Sequence, residues 1–228
     1  MFTVSLSTAS KRAVTVYVQS TNATTSPATA KVDSVPLGNT LLTFAPGQRN
    51  QKVSIIINGD SLDEDDERVG LLLSSPKGAV LGTTLGEGSI LDDDATPSLS
   101  INNTSVREGN SGTTKATFTV KLSAPSGRTV NVGYNTQSDG NDAATPDMDY
   151  LRAGGSIFFS PGQTSKTFTV LVKGDTVVEA NEFCLVYLSM QSNVTLDAGI
   201  GMGTILNDDK AFKSADSPRN GFGSGGNS

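Results

Sequence analysis

Gly174-Asp175-Thr176-Val177-Val178-Glu179-Ala180-Asn181-Glu182-Phe183-Cys184-Leu185-Val186-Tyr187-Leu188 is an acidic loop running into a β-strand. Cys184, Val186 and Leu188 alternate with Phe183, Leu185 and Tyr187, the period of two that sends successive side chains to opposite faces. The same design stands earlier in the chain as Gly59-Asp60-Ser61-Leu62-Asp63-Glu64-Asp65-Asp66-Glu67, followed by Val69, Leu71 and Leu73. Each copy then reaches a second acidic stop, Asp92-Asp93-Asp94 in the first and Asn207-Asp208-Asp209 in the second. Carboxylates that recur in register mark a repeated fold, a repeated binding site, or both.

Asp60 and Asp175 stand 115 residues apart, as do Asp93 and Asp208, and Pro46-Gly47-Gln48 and Pro161-Gly162-Gln163. Nearer the start, Phe2-Thr3-Val4 matches Phe118-Thr119-Val120 at a spacing of 116, so one residue is gained or lost in between. The expected organisation is a first repeat over 1–94, a short linker over 95–97, a second repeat over 98–209 and a Gly-, Ser- and Asn-rich tail over 210–228 that reads as disordered. Nothing ahead of Phe2 matches 98–116, so the first repeat is expected to lack its opening strand. That leaves a sheet edge open to a protein partner or to other domains of a longer parent chain.

Composition limits the functions available. The 228 residues carry a formal charge of −6, which disfavours nucleic acid and anionic lipid and favours cations. Histidine is absent, which removes imidazole acid–base chemistry and most zinc, copper and non-haem iron sites. The single cysteine, Cys184, excludes an internal disulfide, and its inward-facing strand position predicts a buried packing thiol. No apolar run approaches the roughly 20 residues of a membrane helix, so direct membrane insertion is not expected. A period near 115 residues is too long for a propeller blade and suits all-β sandwiches of roughly 100 residues each.

Strands follow from alternation. Ala116, Phe118, Val120 and Leu122 line one face; Val130, Val132 and Tyr134, then Ile157 and Phe159, then Phe168, Val170 and Val172 follow. In the first repeat Val53, Ile55 and Ile57 take the place of the last set. If successive strands reverse, as antiparallel sandwiches require, the loop from Asp175 to Glu182 and the stop at Asp208-Asp209 share one pole. Asp149 and Glu108 are expected at the same pole. Glu108, Asp149, Asp175, Glu179, Glu182, Asp208 and Asp209 therefore converge from four loops.

Bare carboxylates at close range repel, and a hard divalent cation relieves them. Calcium takes about 6–8 oxygens in tolerant geometry and fits a site without His or paired Cys. A backbone carbonyl of the acidic loop, that of Val177 for example, is expected to complete the shell. Two other readings stand beside this one. The acidic loops of a purely structural spacer serve solubility and hold no ion. A hydrolase uses a carboxylate pair such as Glu179 with Asp208, although the chain has no Trp and only 6% aromatic residues to line a cleft.

Glu108-Gly109, Asp149-Tyr150, Pro161-Gly162, Gly174-Asp175, Glu179, Glu182, Val186, Leu188, Ile205, Asp208 and Asp209 together resemble the pattern of a Calx-beta module. Cys184 stands where that family's pattern has Phe, and Asn207 where it has the first terminal Asp; Asn207 still offers an oxygen. The resemblance implies two tandem immunoglobulin-like antiparallel β-sandwiches that bind calcium in their distal loops. It also implies a non-enzymatic role in adhesion or cell communication, at the cell surface or outside the cell, as in sodium–calcium exchangers and integrin β4. In the first repeat Asp60, Glu64, Glu67, Asp92, Asp93 and Asp94 take the matching places, and Ser34-Val35 aligns with Asp149-Tyr150, with Asp33 one residue off. Calcium near Asp92–Asp94 is expected to stiffen the junction beside the linker.

Overall fold

The computed structural model describes residues 1–29 and 32–210. The expected disorder of 210–228 falls, beyond Lys210, outside the described residues. Among the described residues every regular element is a β-strand. The first repeat contains β1 (Phe2–Ser5), β2 (Val14–Asn22), β3 (Ser34–Val35), β4 (Thr40–Phe44), β5 (Asn50–Val53), β6 (Ile56–Ile57), β7 (Glu67–Lys77) and β8 (Leu85–Ile90). The second contains β9 (Ser98–Ile101), β10 (Thr104–Arg107), β11 (Thr113–Leu122), β12 (Val130–Gln137), β13 (Gly154–Phe159), β14 (Ser165–Lys173), β15 (Glu182–Ser192), β16 (Thr195–Ala198) and β17 (Ile200–Leu206).

In the second repeat two sheets, ordered β10-β17-β15-β12-β13 and β14-β11-β9-β16, face each other as an immunoglobulin-like sandwich. Its alternating apolar residues meet in one core, with Leu99, Phe118, Val132, Tyr150, Val170, Cys184 and Val186 fully enclosed. Phe118 and Phe168 stack with ring centroids 5.5 Å apart, and Tyr134 lies on Phe168 at 4.1 Å. Cys184 is a buried packing residue, and burial pushes its thiol pKa up. Two pairings depart from strict reversal: β10 runs parallel to β17, and β16 runs parallel to β9. They arise because the opening segment serves both sheets, β9 joining one and β10 the other.

The first repeat has β4-β2-β7-β8 as one sheet and the short pairs β1-β5 and β3-β6 opposite it. Val14, Val16, Val18, Phe44, Val53 and Leu71 form its core. The reading of Ile57 as a core residue is corrected: it is 42% exposed. β14 stays continuous because β11 pairs with it from Thr113 to Lys121. β1 begins at Phe2, opposite Val53, so the segment beyond Val53 loses that partner and β6 pairs only with Ser34–Val35.

Both repeats turn on the same Pro-Gly-Gln motif. The Gln48 N–H donates to the Ala45 carbonyl at 3.0 Å, and that of Gln163 to Ser160 at 2.9 Å. Gly47 and Gly162 hold φ of +83° and +79°, the left-handed region required at the third position of a type II turn. Each Gln side chain then accepts a bond from the N–H of the turn's first residue, at 3.0 Å in the first repeat and 2.9 Å in the second.

Candidate metal centres

The strand directions bring the acidic loops of the second repeat together. Glu182 begins β15 opposite Ile205, so the Asp175–Glu182 loop and the Asn207–Asp209 stop share an end of the sandwich. Glu108 follows β10, and its N–H donates to the Leu206 carbonyl at 3.2 Å. Asp149 is placed by its backbone: its N–H bonds Thr145 at 2.9 Å, and its carbonyl accepts from Lys173 at 2.8 Å. The adjoining Tyr150 ring is fully buried and anchors this loop in the core. Gly174 has to be bare, because a Cβ there would run into the carbonyls of Glu108 and Gly109. Its absence lets the acidic loop close on the Glu108-Gly109 loop.

Carboxylate oxygens of Asp149, Glu179 and Glu182 lie within 4.8 Å of one another. Burial pushes the Glu108 carboxyl up to about 7, and Asp175, Glu179, Asp209 and Asp208 add their repulsion. Glu182 rises to about 7 through burial first and then through Asp149, Glu179 and Glu108. Glu179 is also raised, by desolvation and then by Asp149, Asp175 and Asp209. Asp208 accepts the Gly109 N–H at 3.1 Å, and Asp209 accepts from Asn110 at 2.6 Å. The second carboxylate oxygen of Asp209 is buried without a hydrogen-bond partner. A buried anionic oxygen with no donor, among hard oxygens and no softer atom, fits a hard cation.

Two candidate ligands have other contacts. The Asn207 amide donates to the Glu179 carbonyl at 2.6 Å, and its oxygen accepts the Asp209 N–H at 2.7 Å. Asn207 thus shapes the terminal turn. Val177 is exposed, and its N–H donates to Asp175 at 2.7 Å, folding the loop around that carboxylate.

The first repeat builds a second acidic pole. Carboxylate oxygens of Asp33, Asp60 and Glu64 lie within 4.8 Å of one another. Glu67 and Asp92, Asp93 and Asp94 join them around a cavity of about 140 Å³. Burial, then Asp33 and Glu64, push Glu67 up to about 7. Glu64 is raised by burial and then by Asp60, Asp33, Asp92 and Asp94, and Asp94 is raised in the same way.

Asp33, and not Ser34, is the counterpart of Asp149. The Thr29 N–H donates to the Asp33 carboxylate at 2.5 Å, and the Asp33 N–H donates to the Thr29 carbonyl at 2.9 Å. Thr145 and Asp149 repeat both bonds, at 2.6 and 2.9 Å. The alignment of Ser34-Val35 with Asp149-Tyr150 is therefore corrected. The spacing of 116 seen at Phe2 persists through Asp33, and the extra residue lies between Asp33 and Phe44. Carrying that spacing on from Phe2 until a strand forced a change would have found it. Gly59, the counterpart of Gly174, has no neighbour within 4 Å, because the described residues of the first repeat include no match to the Glu108-Gly109 loop.

Arg128 has no warning in the repeat pattern. It stands in the second repeat and reaches the acidic loop of the first. It forms an ion pair with Asp63 and a second one with Asp65 at 3.1 Å. Asp63 also accepts the linker hydroxyl of Thr96 at 3.1 Å, and its carbonyl accepts the Gly127 N–H at 3.1 Å. The Arg128 hydrogen bond is the largest influence on Asp63 and holds its carboxyl below the usual range.

Two β-sandwiches in tandem, each with a pole of converging carboxylates, define a pair of modules with candidate cation sites. The Calx-beta domain model matches residues 1–89 and again 92–209, and the chain belongs to the Calx-beta family. No curated protein matches it. Among solved structures, the apo form of the Calx CBD1 domain is 23% identical with a TM-score of 0.42, over 50% of this chain and all of that one. The calcium binding domain CBD12 of CALX1.1 is 19% identical with a TM-score of 0.39, over 90% of this chain and 91% of that one. CBD12 from CALX1.2 is 19% identical with a TM-score of 0.38, over 85% of this chain and 87% of that one.

Proposed function

We propose that the chain is a calcium-binding, non-enzymatic pair of modules in which ion binding at the first pole sets the stiffness of the junction between the repeats. One observation carries this reading. The loop Asp60–Glu67 serves both places: Asp60, Glu64 and Glu67 line the acidic cavity, Asp63 holds Arg128 of the second repeat, and Asp65 borders the cavity and pairs with Arg128 as well. A cation that orders one side of so short a loop orders the other. In the second repeat Glu108, Asp149, Asp175, Glu179, Glu182, Asp208 and Asp209 supply the oxygens. In the first, Asp33, Asp60, Glu64, Glu67 and Asp92–Asp94 do so. Calcium would supply the positive charge that these carboxylates otherwise lack. The two family matches support the calcium identity. We propose further that the setting is a cell-surface or extracellular adhesion or communication protein, where solvent-open sites of modest affinity are filled.

A calcium-independent spacer is the second reading, favoured by the Arg128 ion pairs, which hold the junction without an ion. Calorimetric titration with calcium, alongside inter-repeat distances from paired spin labels, separates the two. The calcium reading expects binding at or below millimolar calcium, a narrower distance distribution, and at least about a tenfold weaker second-repeat site in Glu182→Gln. Absence of heat at millimolar calcium, with an unchanged distance distribution, establishes the spacer.

A further inference from the structure

Between the two faces of the first repeat lies an open groove of about 760 Å³, lined by Val4, Leu71, Leu73, Ala79, Leu81 and Leu85 among others. The second repeat shows what fills this place. There β9 puts Leu99 and Ile101 into the core, and Phe118 beside them is fully buried. The equivalent Phe2 packs on Gly88 as Phe118 packs on Gly203, yet it is left half-buried. Among the described residues two sheet edges have no strand partner: the side of β1 away from β5, and the side of β8 away from β7. A third segment differs between the repeats. β16 is a strand because β9 pairs with it. Its counterpart around Val80 and Leu81 forms no strand, and Val80 is 95% exposed.

We infer that this groove is a docking site for one extended peptide strand supplied from outside these 228 residues, with apolar side chains at alternate positions as in Ser98-Leu99-Ser100-Ile101. The register follows from the second repeat. Leu99 and Ile101 pair antiparallel with Leu122 and Val120, so the occupant's apolar residues stand opposite Leu6 and Val4. Thr104–Arg107 pair parallel with Gly203–Leu206, so its later part runs beside Gly88–Leu91. Main-chain hydrogen bonds to the two edges supply affinity, and the groove selects the apolar pair. A polar strand would leave the half-buried Phe2, Leu81 and Leu85 without an apolar neighbour across the groove, and a helix cannot bond both edges.

The test uses the full chain and a synthetic peptide of the sequence Ser98–Arg107. The probe stops short of Glu108, so it brings no carboxylate to the acidic pole, and its binding is read without calcium. Hydrogen exchange of amides in Phe2–Leu6 and Gly86–Leu91 is expected to slow by about tenfold or more at saturating peptide. The same peptide with Leu99→Asp and Ile101→Asp is expected to give no protection. As a second measurement, residues 97–116 fused ahead of Met1 are expected to raise the melting temperature of the first repeat. The inference is overturned if the peptide protects neither edge, if the Asp-substituted peptide protects equally, or if protection is confined to the second repeat. It is likewise overturned if the chain without peptide is a dimer whose edge amides are already protected, which makes a second copy the occupant.

Discussion

Arg128 of the second repeat pairs with Asp63 of the first, and that carboxylate is only 2% exposed. Of the two ion pairs that Arg128 makes across the repeats, this is the one with the buried carboxylate. It sits one residue from Glu64 of the acidic pole and shares Asp63 with the linker residue Thr96. Arg128→Ala leaves a buried carboxylate with only hydroxyl donors. The expected loss is about 1–3 kcal/mol by urea denaturation at pH 7, less than for a fully enclosed pair because the Arg128 side chain remains 25% exposed. The folded pKa of Asp63 is depressed, so this contribution is present above the ordinary Asp range and is lost as pH falls through the folded value. Wild type and Arg128→Ala should therefore converge in stability in strong acid.

Glu67, Glu108 and Glu182 give the opposite pH dependence. Their folded pKa values are raised to about 7 from 4.5, so the native chain binds more protons than the unfolded chain between those limits. Without a divalent cation, stability should fall as pH rises from about 4.5 to about 7, on the order of 1–3 kcal/mol for Glu108 alone. Saturating calcium should reverse the slope, because protons then compete with the ion for the same oxygens. Thermal melts at pH 5 and pH 8, in chelator and in calcium, check both signs.

The Asp33 assignment makes a sharp contrast with its neighbour. Asp33→Asn keeps an oxygen to accept the Thr29 N–H but removes a charge from the first pole. Calcium affinity of the first repeat should fall by about tenfold or more. Ser34→Ala should leave it within about twofold, since Ser34 occupies the place of Tyr150 and not of a ligand. Calorimetric titration in a Glu182→Gln background reads the first site with the second weakened.

Gly203 and Gly88 test how tightly each core is closed. A Cβ at Gly203 would meet Phe118 at 2.9 Å and the Cys184 sulfur at 3.1 Å, both fully buried. Gly203→Ala should cost about 1–3 kcal/mol. A Cβ at Gly88 meets Phe2 at 3.2 Å, and that ring borders the open groove and can move. Gly88→Ala should cost less than about 1 kcal/mol. Urea denaturation followed by probes specific to each repeat compares the two.

The sandwich fold was legible because burial imposes a period of two on every strand, and Phe118, Val120, Val170, Val172, Cys184 and Val186 keep it without interruption. The poles were legible because strand reversal carries Asp175 and Asp208 to one end whatever the details of packing. Ile57 misled because alternation marks which side a residue faces, not whether a neighbouring strand covers it. Ser34 aligns with Asp149 at the spacing of 115 because a single inserted residue between Asp33 and Phe44 leaves no trace in composition. The hydrogen bonds of Thr29 and Asp33 locate it.

The amino-acid order alone determined that this chain is two copies of one β-rich unit with carboxylates at matched places, since those features depend on local periodicity and on spacing along the chain. Tertiary structure alone decided that Arg128 crosses to Asp63 and that Asp33 faces Glu64. Each of these depends on which surfaces meet across tens of residues of sequence, and a pairwise contact of that kind has no local pattern to announce it.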